Sequence, residues 1–178
     1  MQRQKPNILV TGTPGVGKST FSQQLADRAG MKHLDVGKLI QEQKLYREWD
    51  DEMNCSVFEE DLVLGALEEI LGEEGGHILD FHSCDFLPPE WLDLIIVLRS
   101  DNSVLFDRLA KRGYSPEKVQ ENLECEIFQV VLDEATEAFG TGRVMELRND
   151  SVDQIEDNLD TVDKWIREGR GAQNGEER

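Results

Sequence analysis

Gly12-Thr13-Pro14-Gly15-Val16-Gly17-Lys18-Ser19 fits G-x-x-x-x-G-K-[ST] at every fixed position. Its three glycines let the backbone turn with N–H groups aimed inward, so that phosphate oxygens meet no Cβ atom. An apolar run at residues 7–11 precedes the motif and reads as a buried strand. From Lys18 onward, Phe21, Leu25, Ala26 and Ala29 recur at helical spacing. A helix beginning there adds the positive end of its dipole to the cradle. The chemistry then assigns Lys18 to the β- and γ-phosphates, the Ser19 hydroxyl to Mg²⁺ and Thr20 to the α-phosphate. With glycine near 7% of residues, a chance match arises in about one chain in a hundred. The strand before and the helix after make chance rarer still, and ATP with Mg²⁺ is the expected ligand.

Working outward, strands and helices alternate. Further strands are expected at 32–36, 77–81, 93–99 and 143–147, and helices at 59–71, 102–111, 116–139 and 152–167. Leu62, Val63, Ala66, Leu67 and Ile70 form the stripe of the first of these helices. Asn102 or Ser103 is the expected N-cap of the next. Ser115-Pro116-Glu117 is a helix start with proline at its first position, and Val119, Leu123, Ile127, Val130, Val131 and Ala135 should face inward from that helix. Five strands separated by helices predict an α/β fold: a P-loop NTPase three-layer sandwich with a five-stranded parallel sheet and helices on both faces. Residues 1–168 are expected to form a single domain. The tail, 169–178, has polar residues, glycine and one alanine, and is expected to be disordered.

Which kind of P-loop protein this is follows from what surrounds the loop. The guanine-reading N-K-x-D of GTPases is missing, and translocating ATPases are usually larger. Small kinases of the nucleoside monophosphate type remain. They close one segment over the acceptor and an arginine-bearing lid over ATP. Residues 35–58 are the candidate acceptor segment, and 111–121 the candidate lid. Arg108 and Arg112 stand four apart, with Gly113 as a hinge, and a cation there could neutralise charge on the transferred phosphoryl group. A solvated helix face is the alternative, and Arg112 is favoured over Arg108. The apolar strand His77-Ile78-Leu79-Asp80 ends in a carboxylate where P-loop enzymes keep their Mg²⁺-supporting aspartate. His82, two residues on, could activate a water; packing or capping is the plainer reading for it, and the one given to His33 and His77.

Composition narrows the partners. A net charge of −18 over 178 residues repels phosphate backbones, so broad nucleic-acid binding is not expected, whereas a basic partner is attracted. Cys55, Cys84 and Cys125 are scattered without metal-ligand spacing, which argues against a disulfide framework and against zinc. No apolar run approaches membrane-span length and none resembles a signal peptide. A soluble protein is expected.

Four segments together resemble the adenylate kinase isoenzyme 6 family: residues 6–18, Asp80-Phe81-His82-Ser83-Cys84-Asp85-Phe86, residues 105–114, and Glu124-Cys125-Glu126-Ile127-Phe128-Gln129. The resemblance runs from Pro6 to Trp165. It implies ATP contacts at Gly15, Gly17, Lys18, Ser19, Thr20 and Arg112 beside the Gly12 that opens the loop, an Asp80–His82 pair associated with ATP hydrolysis, and a lid without zinc. It further implies phosphoryl transfer to AMP, a place in the nucleus and cytoplasm, and a role in small ribosomal subunit maturation through a basic-tailed ribosomal protein. A monomer is expected. Two departures bear on rate. Gln41 stands where family members carry Arg or Lys, and residues 117–137 hold Lys118 alone against seven acids. Each missing cation raises the barrier by about 2–4 kcal/mol, so weak AMP kinase activity with accompanying ATP hydrolysis is the expectation.

Overall fold

The computed structural model describes residues 3–50 and 55–168, with the backbone alone at 49, 50, 55 and 56. In chain order the elements are β1 (Ile8–Thr11), α1 (Lys18–Ala29), β2 (Lys32–Asp35), α2 (Val36–Gln43), β3 (Tyr46–Asp50), β4 (Cys55–Phe58), α3 (Glu60–Leu71) and β5 (His77–Asp80). They continue with β6 (Leu94–Arg99), α4 (Asn102–Lys111), α5 (Pro116–Ile127), α6 (Val130–Phe139), β7 (Val144–Arg148) and α7 (Val152–Glu168). The main sheet runs β2-β5-β1-β6-β7 with every pairing parallel, as the alternation of elements predicts. β3 and β4 form a separate antiparallel pair.

Strand periodicity divides the core in two. Ile8, Val10, Ile78, Leu94, Ile96 and Leu98 turn to one face, against Phe21 and Leu25 of α1, Leu105 and Leu109 of α4, and Leu159 and Val162 of α7. Leu9, Leu79, Ile95 and Val97 turn to the other, against α2, α3 and α6 through Val36, Ile40, Val63, Leu67, Val131 and Ala135. Helices thus cover both faces, which is why β6 is apolar at every position before Arg99 and fully buried.

The long helix expected over 116–139 is two helices. Gln129 takes a left-handed conformation (φ 56°) between α5 and α6. The cause is tertiary. Arg99 donates through Nε to the Glu126 carboxylate and through Nη2 to the Glu126 carbonyl at 2.9 Å, so the end of α5 is fastened to the end of β6. Val119, Val131 and Ala135 are buried as expected, while Ile127 and Val130, flanking the break, are 51% and 39% exposed. On α3, Val63, Leu67 and Leu71 form a narrower buried stripe, leaving Leu62 and Ile70 outside. The cap of α4 is neither Asn102 nor Ser103 but Asp101, whose Oδ1 accepts from Ser103 N at 3.0 Å. Ser115 caps α5 as expected, accepting from Lys118 N at 3.2 Å. Within 35–58 the periodicity alone missed α2 and the β3–β4 pair. The expectation for 169–178 falls outside the described residues.

Candidate functional site

All five strands of the main sheet point the same way, so their carboxyl ends share one edge, where ligands of open α/β sheets bind. The glycine-rich loop leaves β1 at that edge and enters α1. Gly17 is the N-cap of α1 with φ 95°, and a Cβ there would lie 2.8 Å from Asn149 Nδ2. That same amide donates to the Val16 carbonyl at 2.9 Å, clasping the loop from the β7–α7 junction. At Gly15 (φ 96°) a Cβ would come within 2.9 Å of Leu109 on α4. Both glycines are therefore required by close approach as well as by φ. Lys18 Nζ is held inside the curve, donating to the carbonyls of Gly12 at 2.9 Å and Thr13 at 3.3 Å. Burial lowers its pKa to about 8; the Asp80 carboxylate opposes the shift, and the Arg112 charge reinforces it.

The loop forms one wall of a cleft lined by Pro14, Gly15, Gly17, Lys18 and Ser19. Asp35 and Gly37 line it from the β2–α2 junction, Asp80, Phe81 and His82 from the end of β5, and Arg112, Tyr114 and Lys118 from the lid segment. Of the residues expected from sequence, Gly15, Gly17, Lys18, Ser19, Asp80, His82 and Arg112 are brought together here. Gly12 is buried beneath the loop. Thr20 is exposed on the first turn of α1. Arg108 reaches the loop beside Gly17, its Nη1 4.0 Å from where a Cβ of that glycine would lie, and donates to Ser100 Oγ at 3.2 Å and to the Asn149 carbonyl at 2.8 Å. It braces the junction that clasps Val16.

The carboxylates sit by register. Asp35 and Asp80 are directly paired residues of β2 and β5. Asp35 Oδ1 caps α2, accepting from Lys38 N at 2.9 Å. Asp80 is 4% exposed, and its Oδ2 lies 3.3 Å from His33 Nε2. His82 stands at the exposed rim, its ring edge-on to Phe81 with centroids 4.6 Å apart. Desolvation by neighbouring groups, then the Lys18 charge, push the His82 imidazole down to about 4, with solvent at the rim screening part of that effect. It is neutral at physiological pH. Among the described residues no group of three or more His, Cys, Asp or Glu is placed to hold a metal ion.

Several participants escaped the sequence reading. Lys118 supplies a second lid cation, its Nζ 4.3 Å from the centroid of the Tyr114 ring. The spacing of six from Arg112 falls on no single helix face, because the chain turns at Gly113 (φ 75°) between α4 and α5. Asp35 ends its strand as Asp80 does, and that parallel was the available signal. His33, read as packing, proves to be the partner of Asp80. Gln41, in contrast, is exposed on α2 and does not line the cleft.

Fold and cleft together define a P-loop kinase. The solved structures bear out the fold: a shikimate kinase from Bacteroides thetaiotaomicron superimposes with a TM-score of 0.58 at 19% identity, covering 89% of this chain and 97% of that one. A gluconokinase from Sinorhizobium meliloti 1021 gives 0.51 at 18% identity, with 92% and 96% covered. A family model described as an AAA domain matches residues 8–129. Among curated proteins, the adenylate kinase isoenzyme 6 homolog of Caenorhabditis elegans is 44% identical over 161 residues, 90% of this chain and 88% of its own. That of Dictyostelium discoideum is 40% identical over 167 residues, 94% and 95% of the two chains. The Schizosaccharomyces pombe homolog is 41% identical over 165 residues, 93% and 94% of the two. The chain belongs to the adenylate kinase isoenzyme 6 homolog family.

Proposed function

We propose that this protein transfers the γ-phosphoryl group of Mg-ATP to AMP, giving two ADP, and hydrolyses ATP more slowly in the same cleft. The observation that carries the reading is the convergence of Lys18, Asp80 and Arg112 on one cleft that also opens to the 35–58 segment through Asp35 and Gly37. ATP lies with its phosphates in the loop. Lys18 balances the β- and γ-oxygens, and Arg112 and Lys118 approach from the lid side as charge spreads over the transferred group. The acceptor enters over Asp35 and Gly37, beside α2.

Ser19 and Asp80 suit Mg²⁺. One hydroxyl and one buried carboxylate are what this ion takes from a protein when phosphates and water complete its shell. Bound with the nucleotide, the ion neutralises charge on the β- and γ-oxygens.

Hydrolysis is assigned to His82. A neutral imidazole at the cleft rim can accept a hydrogen bond from water and orient it. Replacing His82 with Ala should therefore lower phosphate release about 10²-fold while leaving AMP phosphorylation within a few-fold. Equal loss of both activities would contradict that division. The acceptor class is tested by a panel of nucleoside monophosphates and non-nucleotide alcohols, AMP being preferred on this reading.

The net charge of −18 favours a second role. An acidic surface suits a basic-tailed small-subunit ribosomal protein better than RNA, and hydrolysis would switch affinity for it. Binding of such a protein that ignores whether ATP or ADP is present would remove this role and leave the kinase reading intact.

A further inference from the structure

Asp80 is the buried carboxylate of the cleft, and the groups holding it are spelled out in a chain of three hydrogen bonds. His33 Nε2 lies 3.3 Å from Asp80 Oδ2, and His33 Nδ1 lies 3.2 Å from Gln23 Oε1. Gln23 Nε2 donates to Asp27 Oδ1 at 3.1 Å, one turn further along α1. That last bond fixes which end of the Gln23 amide faces His33. Asp27 accepts only, so Gln23 must present its nitrogen there and its oxygen to the imidazole. The ring thus bridges the Gln23 amide and the Asp80 carboxylate, with Nε2 turned to the carboxylate oxygen. The pair is sheltered: the side chains of His33 and Asp80 are 15% and 4% exposed. This is not a surface contact that water would dissolve.

Strand geometry explains why these residues meet. His33 pairs with Ile78, and Asp35 with Asp80, so residues 33 and 35 share one face of β2 as 78 and 80 share one face of β5. His33 reaches diagonally forward to Asp80, while α1, packed on that face, offers Gln23 from behind.

We propose that His33 is a positioning residue for the reaction: it takes one oxygen of Asp80 and so fixes the carboxylate with its other oxygen available to the cleft, where the Mg²⁺ that accompanies ATP is met. The inference rests on the reading of Asp80 as the carboxylate that supports that ion. A second group that orients a metal-supporting carboxylate typically governs metal affinity or activity by 10–100-fold. His33 touches neither nucleotide phosphate nor acceptor in this role and acts through Asp80 alone.

The test compares His33→Leu, His33→Gln, Gln23→Leu and Asp80→Asn with the parent protein. Mn²⁺ binding in the presence of a non-hydrolysable ATP analogue is followed by electron paramagnetic resonance, and melting temperature is recorded alongside. His33→Leu should weaken Mn²⁺ binding about 10–100-fold. His33→Gln, whose amide nitrogen can donate to Asp80, should recover most of that loss, and Gln23→Leu should fall between. The Mg²⁺ concentration for half-maximal ADP formation should move in parallel. Should His33→Leu fail to fold, the Gln23→Leu and His33→Gln variants still decide. Unaltered Mn²⁺ affinity in His33→Leu alongside a weakened Asp80→Asn overturns the role of His33 alone. Unaltered affinity in Asp80→Asn overturns the reading of Asp80 and the inference with it. A His33→Gln variant as weak as His33→Leu shows that ring packing, not donation, is what matters, and also overturns it.

Discussion

Raising the pH through 8 should strip the proton from Lys18 and make ATP binding a proton-consuming reaction. The shift has a structural origin. Lys18 Nζ is sequestered among the loop carbonyls, and its pKa falls from 10.5 to about 8 chiefly through burial. In the free protein, burying this charge below pH 8 costs about 3 kcal/mol at roughly 1.4 kcal/mol per pH unit. The sign follows from proton counts: between pH 8 and 10.5 the unfolded chain holds the proton more fully than the folded one, so stability from this group rises with pH across that window and is lost as pH falls through 8. The phosphates of ATP reverse the preference, because they favour the ammonium. At pH 8.5 the nucleotide is itself fully ionised, and binding should take up about 0.8 proton per ATP, against about 0.1 at pH 7. Above pH 8 the dissociation constant should rise toward tenfold per pH unit. Calorimetric titration of ATP at pH 8.5 in two buffers of different ionisation enthalpy gives the proton count directly, with Lys18→Met as the control that abolishes it. A binding heat independent of buffer at pH 8.5 refutes the reasoning, since Lys18 would then be charged before ATP arrives.

Three further outcomes follow from named contacts. Replacing Gly17 with Ala places a Cβ 2.8 Å from Asn149 Nδ2 at a φ of 95°. The backbone strain alone costs of order 1–3 kcal/mol, and ATP affinity by equilibrium binding should drop at least tenfold; unchanged affinity would show that the clasp yields freely. Glu126→Ala leaves the Arg99 guanidinium buried without its main partner and should destabilise the fold by about 3–5 kcal/mol in urea denaturation. An unmoved midpoint would mean that Glu146, 3.5 Å away, suffices. Arg112→Ala should reduce kcat by about 2–4 kcal/mol of barrier with little change in melting temperature, whereas Arg108→Ala should lower the melting temperature, because Arg108 holds Ser100 and Asn149. The reverse pattern would exchange their roles.

The parts of this protein that were legible in its sequence are those whose signal is local. The motif at Gly12–Ser19, the five strands and the aspartate ending β5 all depend on near neighbours in the chain, and the parallel sheet follows from their alternation. What escaped depends on pairs distant in sequence. The break at Gln129 arises because Arg99, 27 residues before Glu126, claims both its carboxylate and its carbonyl; helical periodicity cannot register that claim. His33 and Asp80 are 47 residues apart and meet only because β2 lies beside β5. Lys118 enters the cleft because the chain turns at Gly113, which separates it from the face of Arg108. In the acceptor segment, Asp35 both caps α2 and lines the cleft, two tasks for one strand-ending residue that spacing alone could not divide.

The central claim is that one cleft serves phosphoryl transfer to AMP and, more slowly, to water. Purified protein mixed with Mg-ATP, with and without AMP, and followed for ADP and free phosphate separately, tests it most directly. The account predicts two ADP for each ATP consumed when AMP is present, over a slower release of phosphate that does not need AMP. Phosphate release unaffected by AMP, with no additional ADP, would contradict it and leave an ATPase in place of a kinase.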